Sequence, residues 1–259
     1  MSNQSTDVVT GNEPQFIKAS WDAPDHVLAG TTTRIGGRST GTYAGLNLGL
    51  HVNDEQAIVL KNRALVHEAL EFPSEPVWLR QSHGTTILRV DDTVAQGDAD
   101  GAYTCTVDTV LAVLTADCLP LVLTNRNASE LAVVHAGWRG LAGGIVHSAM
   151  ACFDLREGLQ AWMGPAIGKE MFEVGEDVLT AFTDREPTYK QYFEPRATPG
   201  KYLCDLYALA RAELRASGCG SVSGGEYCTY KHGKTFYSYR RDGAGSGRMA
   251  TFAWLSNRI

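Results

Sequence analysis

No apolar run in this 259-residue chain approaches the ~18 residues a bilayer-spanning helix needs, so no membrane segment is expected. Residues Met1 to Thr10 lack both a basic start and an apolar stretch, so no secretory signal peptide is expected either. Positive charge is scarce: 23 Lys and Arg against 29 Asp and Glu leave a net charge of −6. Nucleic-acid backbones demand a basic face, so nucleic acid is not expected as a partner. The six cysteines, at positions 105, 118, 152, 204, 219 and 228, form no Cys-x-x-Cys pair and no zinc-ribbon spacing. Without an export signal they are read as reduced thiols of a cytoplasmic protein. Histidine is limited to seven residues with no His-x-His pair. A multicopper centre calls for about ten histidines in closely spaced pairs, so the count argues against copper.

What the chain does have is 44% hydrophobic residues, enough for a sizeable core. Residues 1–12 read as a flexible tail and 13–259 as a single domain. Val27–Thr33 reads as a strand, and Asp54 as the N-cap of a helix over 55–70. Short β-branched or aliphatic runs at 77–80, 86–90, 109–115, 119–124 and 131–135 suit a sheet covered on both faces. Helices are expected over 141–153, 175–183 and 204–217, the last stopped by Gly218, with final strands near 234–239 and 249–255.

Three residues stand in chemically odd settings: His83 in Gln81-Ser82-His83-Gly84, Cys118 in Asp117-Cys118-Leu119-Pro120, and His135 before Ala136-Gly137-Trp138-Arg139-Gly140. A soft thiolate and two imidazoles match the ligand preference of zinc and would leave its fourth position open for chemistry. Their separations of 35 and 17 residues are not a finger pattern but suit ligands gathered from strand ends. A buried Cys with two hydrogen-bonded His is the plainer alternative. A Cys–His hydrolase, with Cys118 as nucleophile, His135 or His83 as base and Asp117 as orienter, is another. The remaining histidines, 26, 51, 67, 147 and 232, are not assigned as ligands.

Arg34, Arg38, Arg139, Arg240, Arg241 and Arg248 all lie in glycine-bearing loops. Guanidinium forks match phosphate or carboxylate oxygens in bidentate fashion. Tyr43, Trp138, Phe236 and Tyr239 share those segments and could stack a flat base.

Several strings then resemble one family: Thr33-Arg34-Ile35-Gly36-Gly37, Leu46-Asn47-Leu48-Gly49, Asp98-Ala99-Asp100, Gly164-Pro165-Ala166-Ile167-Gly168 and Ser238-Tyr239-Arg240-Arg241, together with the three settings above. It is the laccase-domain family, also called multicopper polyphenol oxidases or YfiH-type purine nucleoside phosphorylases. The resemblance runs in order from about residue 27 to 255. It implies an α/β (α+β) fold, with mixed β-sheets in a cysteine-hydrolase-like α/β/β/α sandwich. It implies one zinc per chain on His83, Cys118 and His135, which also carry the catalysis. The implied substrates are purine nucleosides and inorganic phosphate: phosphorolysis of adenosine, inosine and methylthioadenosine, with adenosine deamination. Arg34, Asn47, Arg139, Arg240 and Arg241 are the expected substrate-binding residues, with Arg34 and Arg139 foremost for phosphate. A monomer or small homo-oligomer is expected. Editing of peptidoglycan precursors, as a cysteine hydrolase or amidase, and polyphenol oxidation are the other activities tied to the family.

Overall fold

The computed structural model of the protein describes residues 13–90 and 98–257, so the expected tail over 1–12 lies outside the described residues. Two large sheets stack face to face. The first comprises β1 (Phe16–Lys18), β2 (Val27–Thr32), β3 (Val77–Trp78), β6 (Leu111–Thr115) and β14 (Met249–Leu255), in the order β1-β2-β14-β6-β3. The second comprises β4 (Ile87–Arg89), β5 (Gly101–Thr104), β7 (Leu119–Thr124), β8 (Leu131–Ala136), β9 (Gln160–Met163) and β13 (Ser221–Gly224), in the order β13-β9-β7-β8-β5-β4. Both mix parallel and antiparallel pairs. A small antiparallel sheet joins β10 (Glu173–Gly175), β11 (Phe193–Pro195) and β12 (Lys201–Cys204).

The two-residue side-chain period explains the layering. In β6, Leu111 and Val113 face the second sheet, whereas Ala112 and Leu114 face outward. In β8, Leu131 and Val133 meet the first sheet, whereas Ala132, Val134 and Ala136 face the opposite way. The outer face of the first sheet is covered by α1 (Gln56–Ala69) through Val66, with Leu46, Leu48 and Phe72. The outer face of the second is covered by α2 (Trp138–Gly143), α3 (Ile145–Ala151), α4 (Glu176–Thr183) and α5 (Leu206–Ala216). The result is the expected α/β/β/α order, with the interior strands β6, β7, β8 and β14 buried along their whole length.

Some expectations need correction. The helix expected over 141–153 is two pieces, because Gly144 takes φ 93° and breaks the ladder between α2 and α3. Asp54 does not cap α1; Glu55 holds that position, and the Asp54 carboxylate accepts from Ser39 and Asn47 instead. Residues 234–239 are not a strand. Thr235 and Phe236 both turn back onto the His232 carbonyl, and α6 (Tyr239–Asp242) follows. The small sheet and the strands β1, β5, β9 and β13 are not among the expected elements, being short or lacking alternation. Among the described residues no helix is long and apolar enough to cross a membrane.

Candidate metal centre and substrate cavity

The chain crosses between the two stacked sheets at two places that matter. Between β3 and β4 it passes through Leu79 to Thr86 and carries His83. Between β6 and β7 it passes through Ala116, Asp117 and Cys118. Both crossings are sharp: His83 has φ 62° and Asp117 φ 94°, left-handed values that L residues hold only when their surroundings require it. The third residue, His135, is near the end of β8, in phase with Leu131 and Val133, so the strand period turns it into the space between the sheets.

These three meet. One ligand atom from each of His83, Cys118 and His135 lies within 4.8 Å of the others, so the trio can hold a single metal ion. The imidazole rings stand edge to face at 4.8 Å. Gly137 makes room: a Cβ there would sit 3.1 Å from the Cys118 sulfur and 3.3 Å from His83. The donor set, one thiolate and two imidazoles around a glycine-lined hollow, fits such an ion.

Asp100 fixes the geometry. Its side chain is fully buried, and Oδ1 accepts from His135 Nδ1 at 2.8 Å and from the His83 backbone N–H at 2.9 Å. Its Oδ2 accepts from Gly84 N–H at 2.6 Å and from the Ser82 N–H and hydroxyl, each at 3.1 Å. Burial alone would raise this carboxyl's pKa, but the hydrogen bonds from His135, Gly84 and His83 draw it down to about 2. With Nδ1 committed to Asp100, His135 presents Nε2 to the thiol side. Burial disfavours the Cys118 thiolate, yet the charge of His135 and hydrogen bonds from both imidazoles outweigh it and lower the thiol's pKa. The His135 pKa moves the other way: burial lowers it, and the stronger pull of Cys118 and Asp100 raises it.

The trio lies in the wall of a cavity of about 820 Å³, within the usual size range for small-molecule sites. Trp78, Trp138, Phe172 and Tyr239 add aromatic surface, and Arg63, Arg80, Arg139, Arg240 and Arg248 add charge. Arg139 lies over Trp138 at 4.3 Å, and Arg240 lies over Phe172 at 5.3 Å while donating to the Glu173 carbonyl. Asp117 anchors this wall. Its carboxylate accepts from the Thr229 and Ser238 hydroxyls and the Arg240 N–H, which fixes the start of α6.

Of the five residues expected to bind substrate, Arg139 and Arg240 line the cavity and three do not. Arg34 donates to the Gly233 and Ala44 carbonyls and lies over Tyr237. Arg241 donates to the Thr229, Tyr230 and Phe236 carbonyls and pairs with Asp242. Asn47 is fully buried and holds a turn. All three brace loops. Among the expected aromatic stackers, Trp138 and Tyr239 line the cavity, whereas Phe236 is core. His51 and Arg63 also line the cavity and Asp100 braces it, although none of the three is expected from the sequence as a site residue. The Asp98-Ala99-Asp100 string was a signal for the last; nothing local marks Arg63, which reads as an ordinary helix residue.

A family model described as multi-copper polyphenol oxidoreductase laccase matches residues 28–256. The chain belongs to that family. Within the laccase family it is 44% identical, over 93% of this chain and 99% of the relative, to purine nucleoside phosphorylase YfiH of Escherichia coli K12. The crystal structure of protein NMB0706 from Neisseria meningitidis superposes with a TM-score of 0.89 at 43% identity, covering 93% of this chain and 99% of that one. That of YlmD from Geobacillus stearothermophilus superposes at 0.79 with 32% identity, covering 90% and 93%.

Proposed function

We propose that this laccase-family chain is a cytoplasmic, zinc-dependent purine nucleoside phosphorylase that also deaminates adenosine. One zinc per chain sits on His83, Cys118 and His135. The observation that carries the reading is the His–Cys–His group opening into a cavity that combines aromatic surface with arginines. The relatives' names give the substrate class, purine nucleosides. When bound, zinc supplies Lewis-acid polarisation of a substrate atom or of water.

In phosphorolysis the bond from ribose C1′ to the purine nitrogen breaks as a phosphate oxygen bonds to C1′. The purine leaves with the electron pair and takes up a proton. Trp138, Phe172 and Tyr239 offer flat faces for the base. Arg139 and Arg240 line the same wall, where their charges stabilise negative charge growing on the reacting groups. Asp117 holds Arg240 in place, and its three accepted hydrogen bonds make it a positioning residue rather than a proton carrier. Adenosine, inosine and methylthioadenosine share the purine ribosyl core and all suit this arrangement. No nucleic-acid or membrane partner is invoked, and the protein acts as a monomer or small homo-oligomer.

One observation favours a second reading, a metal-free cysteine hydrolase acting on peptidoglycan precursors. The order Cys118–His135–Asp100, with the imidazole held by a buried carboxylate, is also that of a nucleophile, base and orienter. A metal assay paired with a nucleoside panel separates the two. The phosphorylase reading expects close to one zinc per chain and release of free purine only when phosphate is present. Zinc-free protein that forms a covalent Cys118 adduct with an amide substrate would favour the hydrolase instead.

A further inference from the structure

The cavity holds a second cationic cluster, away from Arg139 and Arg240 in sequence and built differently. Arg63 comes from the middle of α1, Arg248 from the residue before β14, and His51 from the segment after Asn47-Leu48-Gly49. All three line the cavity that contains the metal trio.

The Asn47–Gly49 turn gathers them. Arg63 directs Nε and Nη2 together onto the Leu48 carbonyl, at 3.0 and 2.9 Å. The Leu48 N–H donates to the Arg248 carbonyl at 3.0 Å. Asn47 Oδ1 accepts from the Arg248 N–H at 2.9 Å and the Gly49 N–H at 3.0 Å. Glycine at position 49 lets the turn pack against Arg248, since a Cβ there would lie 2.8 Å from its Cγ and displace the side chain. One buried turn thus sets two guanidinium groups and, two residues on, an imidazole.

Their donors are only partly used. Arg63 has Nη1 left and lies over Trp78 at 3.6 Å. Arg248 uses Nη1 on the Ser246 and Gly247 carbonyls, leaving Nε and Nη2. Neither arginine is in an ion pair among the described residues, although Arg80, Arg185, Arg196 and Arg241 all are. Both are partly buried, where charge is less screened. Burial, then the charges of Arg248 and Arg63, lower the His51 pKa, so a neutral imidazole stands beside the two guanidinium groups. Arg248 is also within electrostatic reach of Cys118, so the cluster borders the metal trio. Concentrated, unpaired positive charge with free N–H forks matches a tetrahedral oxyanion.

We propose that His51, Arg63 and Arg248 form the subsite for inorganic phosphate, with Asn47 as its positioning residue. The proposal rests on the phosphorylase reading for the identity of the anion, but the site itself can be tested without turnover. Inorganic phosphate is titrated calorimetrically into zinc-loaded wild type and into Arg248→Gln, Arg63→Gln and His51→Asn, with zinc content and melting temperature as fold controls. Arg248→Gln should weaken phosphate binding by about 10- to 100-fold, and Arg248→Lys, which keeps the charge without the fork, by less. His51→Asn covers the case in which Arg63→Gln fails to fold for want of its Leu48 bonds. KM for phosphate in inosine phosphorolysis should rise in parallel. Wild-type affinity for phosphate in Arg248→Gln and His51→Asn, or no phosphate binding by the wild type, overturns the subsite. Phosphate binding that is lost in Arg248→Gln, with no phosphorolysis of any purine nucleoside by the wild type, upholds the subsite and sinks the phosphorylase reading instead.

Discussion

Asp100 receives five hydrogen bonds from four residues, among them the ring of His135 and the backbone N–H of His83, the two histidines of the metal trio. A single buried carboxylate therefore sets the tautomer of His135 and the left-handed turn that aims His83. Asp100→Asn puts an N–H₂ where donors already point, and it should weaken zinc binding by about 10- to 100-fold, read by chelator competition. Unchanged affinity would mean that the trio holds its geometry without this anchor. The thiol gives a second residue-scale test. In metal-free protein, Cys118 alkylation should reach half its full rate near pH 6, because the thiol pKa lies at about 6 rather than its ordinary 9.0, and added zinc should block the reaction. A midpoint near the ordinary thiol value would contradict the paired thiolate. His83, Cys118 and His135 were legible because each sits among glycine, proline and small residues, where neither helix nor core packing explains it. Asp100 was legible as part of a string but not as a role, since only folding brings it 35 positions back along the chain to His135.

At the scale of elements, the site is built where strands change sheets. β6 and β7 are separated by three residues yet are interior strands of different sheets, so the chain crosses from one layer to the other at the strand ends, and Cys118 rides on that crossing. The opposite end of the second sheet is tied by Glu130, between β7 and β8. Its buried carboxylate accepts from Tyr103 of β5, Asn125, and the Asp154 and Leu155 N–H groups that follow α3. Burial raises this group's pKa, but those hydrogen bonds prevail and leave it below the ordinary 4.5. A depressed carboxylate stabilises the fold above its unfolded value and loses that contribution as pH falls through the folded one. Glu130→Gln should therefore be less stable than wild type at neutral pH, by about 1–3 kcal/mol, with the gap closing as pH drops below 4.5. Chemical denaturation at a series of pH values reads this, and a pH-independent gap would assign the loss to packing alone. The strands of both central sheets were legible where β-branched runs were long, as in β6, β7, β8 and β14. The run at 234–239 misled because Phe236 and Tyr237 are as apolar as a strand but fill the core from a turn.

For the molecule as a whole, the charge distribution is the informative quantity. The chain carries a net −6, yet its cavity is lined by five arginines and three histidines with Asp117 as the one carboxylate on its wall among the described residues. Composition pointed away from polyanions as partners, while the fold concentrates the cations where one small anion fits. This concentration was only half legible. The loop arginines drew notice because glycine surrounded them, but Arg34 and Arg241 turned out to hold loops, and Arg63 sat unremarked on a helix that the period assigned to packing. The most direct test of the metal-and-phosphorolysis account is phosphorus NMR of inosine and inorganic phosphate incubated with zinc-loaded wild type and with Cys118→Ala. The account predicts a growing ribose 1-phosphate signal for the wild type and none for a zinc-free, folded Cys118→Ala protein. Ribose 1-phosphate formed by the zinc-free variant would contradict it.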